Sequence, residues 1–309
     1  MLEILNLSLT IILILLVMLI RIAFFTLLEQ KVLSHIQIRK GPLYTGYIGL
    51  LQPFSDALKL LNKQNILTLN INKNFFILSP LFSINFSLLI WIRNPNFNSS
   101  IILNFRVLFF FLIRGLAVIP ILIIGWSSNC KYSILGRLRR VSQIVSYEAV
   151  IRIIILRLIW IISSIRFKAI INIKIISLLF YGPFFIIWIC VILAETNRTP
   201  YDFSEGGSEL VSGFITEYGS FGFTLVFIRE YIRILFIRLL FVIILFSRNW
   251  LIIGLYIIII GFIFIWVRSR LPRFRYDKLI YLVWKRFLPL RIFIFYYYFI
   301  LFFFKIIFS

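Results

Sequence analysis

ILNLSLTIILILLVMLIRIAFFTLL, residues 4–28, holds a single charge, Arg21, in twenty-five positions. A helix that crosses a bilayer needs about 20 mostly apolar residues, so this stretch is long enough to span. It begins behind an acidic residue, Glu3, with no basic leader and no arginine-rich character. That predicts a retained first span rather than a cleaved signal or transit peptide. Further apolar runs at 76–93, 101–125, 143–165, 175–195, 219–246, 250–268 and 287–307 bring the expected spans to about eight. With 61% hydrophobic residues, 14% charged residues and a mean hydropathy of +1.02, the 309 residues carry more apolar surface than a soluble core can hide. The expected fold is all-α: a multi-spanning membrane helix bundle forming one integral membrane domain, residues 1–309, plus a surface-lying amphipathic helix.

The surface helix is YIGLLQPFSDALKLLN, residues 47–62, too short and too polar to span. Leu50, Leu51, Phe54, Leu58 and Leu61 recur at helical spacing, with Asp56 and Lys59 elsewhere around the turn. Such a segment lies along the interface or over a cavity, and Asp56 then faces either water or the cavity.

The connections after spans 1, 3, 5 and 7 carry nearly all the polar motifs: EQKVLSHIQIRKGP, GWSSNCKYSILGRLRR, AETNRTPYDFSEGGSELVSGF and RSRLPRFRYDK. In an eight-span chain they share one membrane face, which the positive-inside rule assigns to the side of synthesis. Four polar loops meeting on one face predict a docking surface over a polar cavity.

Other chemistries are excluded by what is missing. Cys130 and Cys190 have no zinc, haem or iron–sulfur spacing, and His35 is the only histidine. The chain has neither a phosphate-binding loop nor a dinucleotide fingerprint. The acids are more informative. Glu195, Asp202, Glu205, Glu209 and Glu217 crowd one segment, joined by Glu148 near the start of span 4 and Glu230 within span 6. Ionisable groups at membrane depth are costly and face a bundle interior or a water path. Crowded carboxylates cannot all stay ionised, so their titrations couple. Such a series suits carrying or gating protons. The plainer reading is a solvated acidic loop balanced by Arg198 and Arg139, which leaves Glu148 and Glu230 unexplained.

The string at 194–214, with LLEQKVLSHIQIRKGP (27–42), QPFSDALKL (52–60), GWSSNCKY (125–132), SYE (146–148) and RLPRFRYDKL (270–279), resembles in order the subunit-1 family of respiratory NADH–ubiquinone oxidoreductase, complex I. The resemblance runs from about residue 20 to residue 290. It implies a subunit where the membrane arm meets the hydrophilic arm, in the mitochondrial inner membrane. Its implied partners are the other membrane-arm subunits, the quinone-site subunits of the hydrophilic arm and the lipid bilayer, with no nucleic acid. The implied substrate is ubiquinone at a shared site, with no cofactor bound by this chain alone and no complete active site within it. Matched residue by residue, Glu29, Arg39, Asp56, Phe223, Phe227, Arg268, Arg273 and Arg275 correspond to the quinone tunnel. Arg139, Glu148, Glu195, Arg198, Asp202, Glu205, Glu209, Glu217 and Glu230 correspond to the proton or coupling path. Gln30 and Gly207 depart from the family's usual arginine and glutamate. The competing classes are an independent proton-coupled transporter, a homologous subunit of a membrane-bound hydrogenase-type complex, and a structural anchor. The first predicts internal inverted repeats, and the last needs no acids at membrane depth.

A formal charge of +22 invites a nucleic-acid reading, which the placement of the arginines rejects. Arg152 and Arg157 fall inside span 4, and Arg229, Arg233 and Arg238 inside span 6. An arginine at a helix centre costs about 2.5–3.5 kcal/mol of insertion free energy, whereas each Leu, Ile, Phe or Val returns only about 0.3–0.6 kcal/mol. Arg229 and Arg238 also lie on opposite sides of their helix, which rules out a voltage-sensor stripe. Some animal mitochondrial codes read AGA as serine and AUA as methionine. Misreading of those codons would account for Arg21, Arg93, Arg106, Arg114, Arg137, Arg140, Arg152, Arg157, Arg166, Arg229, Arg233, Arg238, Arg248, Arg270, Arg286 and Arg291. It would also account for Ile228 and Ile280, in a chain with two methionines. The alternative is that these arginines are real and snorkel or pair with acids.

Overall fold

A computed structural model describes residues 2–64, 71–92, 106–162, 187–202, 213–245 and 250–308. Among them every regular element is helical. In chain order these are α1 (Leu2–Ile36), α2 (Gln52–Asn62), α3 (Lys73–Ile92), α4 (Arg106–Leu116), α5 (Val118–Ser127) and α6 (Lys131–Ile162). There follow α7 (187–195), α8 (Ser220–Leu245), α9 (Trp250–Arg270), α10 (Tyr276–Tyr281) and α11 (Leu288–Phe308).

Among the described residues, four stretches are long and apolar enough to cross a membrane: Ser8–Ile36, Lys73–Trp91, Val107–Ser127 and Ile253–Arg270. They match the expected first, second, third and seventh spans. The expected spans at 143–165, 219–246 and 287–307 are helical where described. Of the expected fifth span only 187–195 is described, and it too is helical. The protein is thus a membrane-embedded helical bundle.

Its core gathers one face from each central helix: Met18 and Ile22 of α1, Tyr147 and Ile151 of α6, Trp188 and Ile192 of α7, Phe241 of α8 and Phe264 of α9. Lipid exerts no pressure to hide apolar side chains, so the outward faces are equally apolar. Leu9, Leu13 and Leu16 of α1 are all more than half exposed.

Two local results differ from the sequence reading, and a third settles a face it left open. The third span is broken at Ala117 between α4 and α5, three residues before Pro120, whose missing N–H leaves the Leu116 carbonyl without its helical donor. The connection read as the loop GWSSNCKYSILGRLRR is helical from Lys131 onward. Its signal is periodicity rather than hydropathy: Ser133, Gly136, Arg140, Gln143, Tyr147 and Val150 are buried at steps of three and four. In α2 and just before it the apolar side chains are largely exposed, although Phe54 still touches Phe24 of α1. Leu50, Leu51, Phe54, Leu58 and Leu61 are exposed, while Gln52 and Asp56 are half-buried on the side that meets α1 and α8. Entry to α2 is tight, with Gly49 at φ +76° and a Cβ built there only 2.3 Å from the Pro42 carbonyl oxygen.

Candidate functional site

The four motif-bearing segments meet. Thr199 Oγ1 donates to the Arg268 carbonyl at 3.1 Å, and the Phe274 amide donates to the Pro200 carbonyl at 3.0 Å. Tyr201 stacks on Phe274 at 5.6 Å. Arg139 lies over the ring of Tyr276 at 5.9 Å, and the Ser142 and Tyr276 hydroxyls are 2.5 Å apart. Gln143, fully buried, anchors the connection after α7 by donating from Nε2 to the Ala194 carbonyl at 2.7 Å and the Tyr201 carbonyl at 2.9 Å.

At the centre of this junction is Glu29, 6% exposed on α1. It pairs with Arg198 at 3.3 Å and with Arg268, and it accepts a hydrogen bond from the Tyr231 hydroxyl at 2.7 Å. One carboxylate therefore ties together α1, the loop after α7, α8 and α9. Arg198 also stacks over Tyr231 at 4.8 Å. Burial works against the charge on Arg198, but Tyr231 and Glu29 more than offset it and hold its pKa above the ordinary guanidinium value. Beyond Tyr231 an aromatic ladder descends α8 one turn at a time, Tyr231 to Phe227 at 4.5 Å and Phe227 to Phe223 at 6.2 Å. Across the groove Phe24 of α1 meets Phe54 of α2 edge-on at 6.5 Å. Asp56 accepts from Gln52 Nε2 at 2.7 Å. Arg39 and Arg275 are exposed outside this cluster.

The acids form a second sector. Glu195, 1% exposed, pairs with Arg233 at 2.8 Å and with Arg114. Glu230 pairs with Arg140 at 2.6 Å, and Glu148 with Arg152 at 2.6 Å one turn along α6. Asp202 lies 3.6 Å from Arg273. Burial lifts the Asp202 carboxyl above its ordinary value, opposed by Arg273 and reinforced by Glu230. Among the described residues, Glu148, Glu195, Asp202 and Glu230 are each turned to a guanidinium on another element or another turn. Glu217 is half-buried just before α8, and Glu205 and Glu209 lie outside the described residues. Beside Glu195 is a cavity of about 30 Å³, lined also by Ser83 and Ser87 of α3 and by Arg229 of α8. Glu195 Oε2 has no hydrogen-bond partner among the described residues, and the rest of the cavity wall is mostly apolar, with Ile90, Phe110, Val118, Ile144 and Ile237.

Two members of the site escaped the sequence reading. Tyr231 was legible as the next step of the Phe223–Phe227 spacing. Gln143 carries no such signal, because its role depends on carbonyls more than fifty positions away.

Comparison with known proteins gives one answer. The chain is 50% identical to NADH-ubiquinone oxidoreductase chain 1 of Aedes aegypti over 273 residues, covering 87% of each chain. It is 48% identical to the protein of the same name from Anopheles gambiae, again over 87% of each. Against that of Locusta migratoria the identity is 44%, over 88% of each. Residues 9–299 match the family described as NADH dehydrogenase, and the chain belongs to that family.

Proposed function

We propose that the chain is a core membrane subunit of a proton-pumping NADH–ubiquinone oxidoreductase in the mitochondrial inner membrane. It shapes the path by which ubiquinone reaches a site shared with the hydrophilic-arm subunits, and it carries the first acids of a proton path toward the other membrane-arm subunits. The observation that carries this reading is a pair of adjacent residues on α8. Tyr231 bonds Glu29 at the head of the aromatic ladder, while Glu230 turns to Arg140 and the acidic sector.

Successive side chains on a helix point about 100° apart, so one rigid rod presents one residue to each sector. A charge change at Glu29, caused by quinone chemistry nearby, would shift Tyr231 and with it the helix that holds Glu230. The aromatic and apolar walls of Phe223, Phe227 and Phe24 suit a flat ring on a hydrocarbon tail, and the guanidiniums around Glu29 suit its polar head. Neutralising Asp202 or Glu205 (Asp202→Asn, Glu205→Gln) in the assembled complex is expected to lower quinone-linked turnover or the protons moved per electron. Unchanged values for both quantities in both variants would remove the acidic path from the proposal.

A further inference from the structure

Six arginines are buried among the described residues, Arg114, Arg140, Arg157, Arg229, Arg238 and Arg291, none more than 6% exposed. The buried carboxylates are Glu29, Glu148 and Glu195. These are already engaged: Glu29 by Arg198 and Arg268, Glu148 by Arg152, and Glu195 by Arg114 and Arg233. Of the six arginines, Arg114 pairs with Glu195 and Arg140 with Glu230, which leaves the charges of Arg229 and Arg238 to be balanced. A guanidinium has five N–H donors and no acceptor, and its burial is tolerated only when it is paired and hydrogen-bonded.

Among the described residues, Arg229 and Arg238 do not meet that condition. Arg229 reaches the Ala117 carbonyl at 3.5 Å, and its Nη1 is buried without a hydrogen bond. Arg238 Nε lies 3.4 Å from the Ile234 carbonyl of its own helix, its guanidinium is pressed on Phe25 at 3.8 Å, and its Nη2 is buried without a hydrogen bond. Its Nη1 fills the space over Gly261, where an added Cβ would come within 2.5 Å. Arg157 of α6 and Arg291 of α11 are near enough to repel each other.

The buried serines of the same helices behave differently. Ser83 donates to the Pro80 carbonyl at 2.7 Å, Ser87 to Ile84 at 2.7 Å and Ser146 to Gln143 at 2.9 Å. A serine inside a helix satisfies itself on the preceding turn, and small residues let neighbouring helices approach.

We infer that the chain made in the cell carries serine at Arg229 and Arg238, and at the other arginines buried within the spans, Arg114, Arg157 and Arg291. Its messenger is read by a mitochondrial code in which AGA specifies serine. The same code reads AUA as methionine, which explains a 309-residue chain with two methionines. The inference rests on the mitochondrial origin proposed above. Arg39, Arg139, Arg198, Arg268, Arg273 and Arg275 stay arginine, and two of them hold Glu29.

Two measurements test this. In the gene, positions 229 and 238 are expected to be AGA and the motif arginines 198 and 268 to be CGN. In the chain cut from the purified native complex, peptides across 226–242 are expected to contain serine at 229 and 238 with complete loss of tryptic cleavage there. A CGN codon at 229 or 238, or a tryptic peptide ending in arginine at either, overturns the inference. Either result leaves the subunit assignment intact, because the contacts of Tyr231 and Glu230 that carry it involve neither Arg229 nor Arg238.

Discussion

Glu29 shows how much one buried carboxylate can organise. Its partners come from three other segments, so removing one contact tests the whole junction. Tyr231→Phe deletes a 2.7 Å hydrogen bond to a charged acceptor. The expected loss is about 1.5–3 kcal/mol of local stability, read as lower thermal stability of the purified complex, with the aromatic ladder retained. Asp202 tests electrostatics in a group outside the spans. Its folded-state pKa is raised, so the folded chain holds a proton that the unfolded chain has already released. Stability from this group is present at low pH and falls as pH rises from the ordinary carboxylate value through the raised one. Asp202→Asn is expected to flatten that part of the thermal-stability profile against pH. A profile identical to the parent's would show that Asp202 does not titrate in that window.

At the scale of elements, two predictions concern the pieces that hold the junction. Gln143→Leu removes the side-chain donor from the Tyr201 carbonyl, at a cost of about 1–3 kcal/mol, while the Ala194 carbonyl keeps the Asn197 amide at 3.3 Å. Faster proteolysis or hydrogen exchange across 194–202 would report it. Gly49→Ala combines a left-handed φ with a Cβ 2.3 Å from a carbonyl oxygen, and is expected to displace α2 from α1, read as lost contact between labels at Phe24 and Phe54. The elements were unevenly legible in the sequence. Spans such as 4–28 announce themselves because lipid demands an unbroken apolar run. The start of α6 did not, since Lys131 to Arg140 is polar and only the spacing of its buried positions betrays the helix. The outward turn of α2 was hidden for another reason: amphipathicity gives the two faces but not their assignment when the outside is itself apolar. The motif residues of the site were legible as strings, whereas the meeting of Glu29 with Tyr231, 202 positions away, is a property of packing alone.

Across the whole molecule, α1 marks the rim of the bundle. Its Leu13 is 56% exposed while Met18, little more than a turn away, is 2% exposed. Leu13→Arg is expected to cost about 2.5–3.5 kcal/mol of insertion free energy and to lower the fraction of chains integrated in a glycosylation-mapping assay. Efficient integration of that variant would place Leu13 against water. The small chamber beside Glu195 has a larger meaning once its walls are reconsidered. Arg114, Arg229 and Arg233 project into it, and a guanidinium only donates hydrogen bonds, whereas a hydroxyl donates and accepts. With serine at Arg114 and Arg229, as inferred above, the side chains that now crowd the space would retract toward their own helices. The chamber would widen into a vestibule lined by hydroxyls from α3, α4 and α8, with Glu195 at its end. A chain of such groups and water can reverse its hydrogen-bond polarity each time a proton passes, which a wall of fixed donors cannot do.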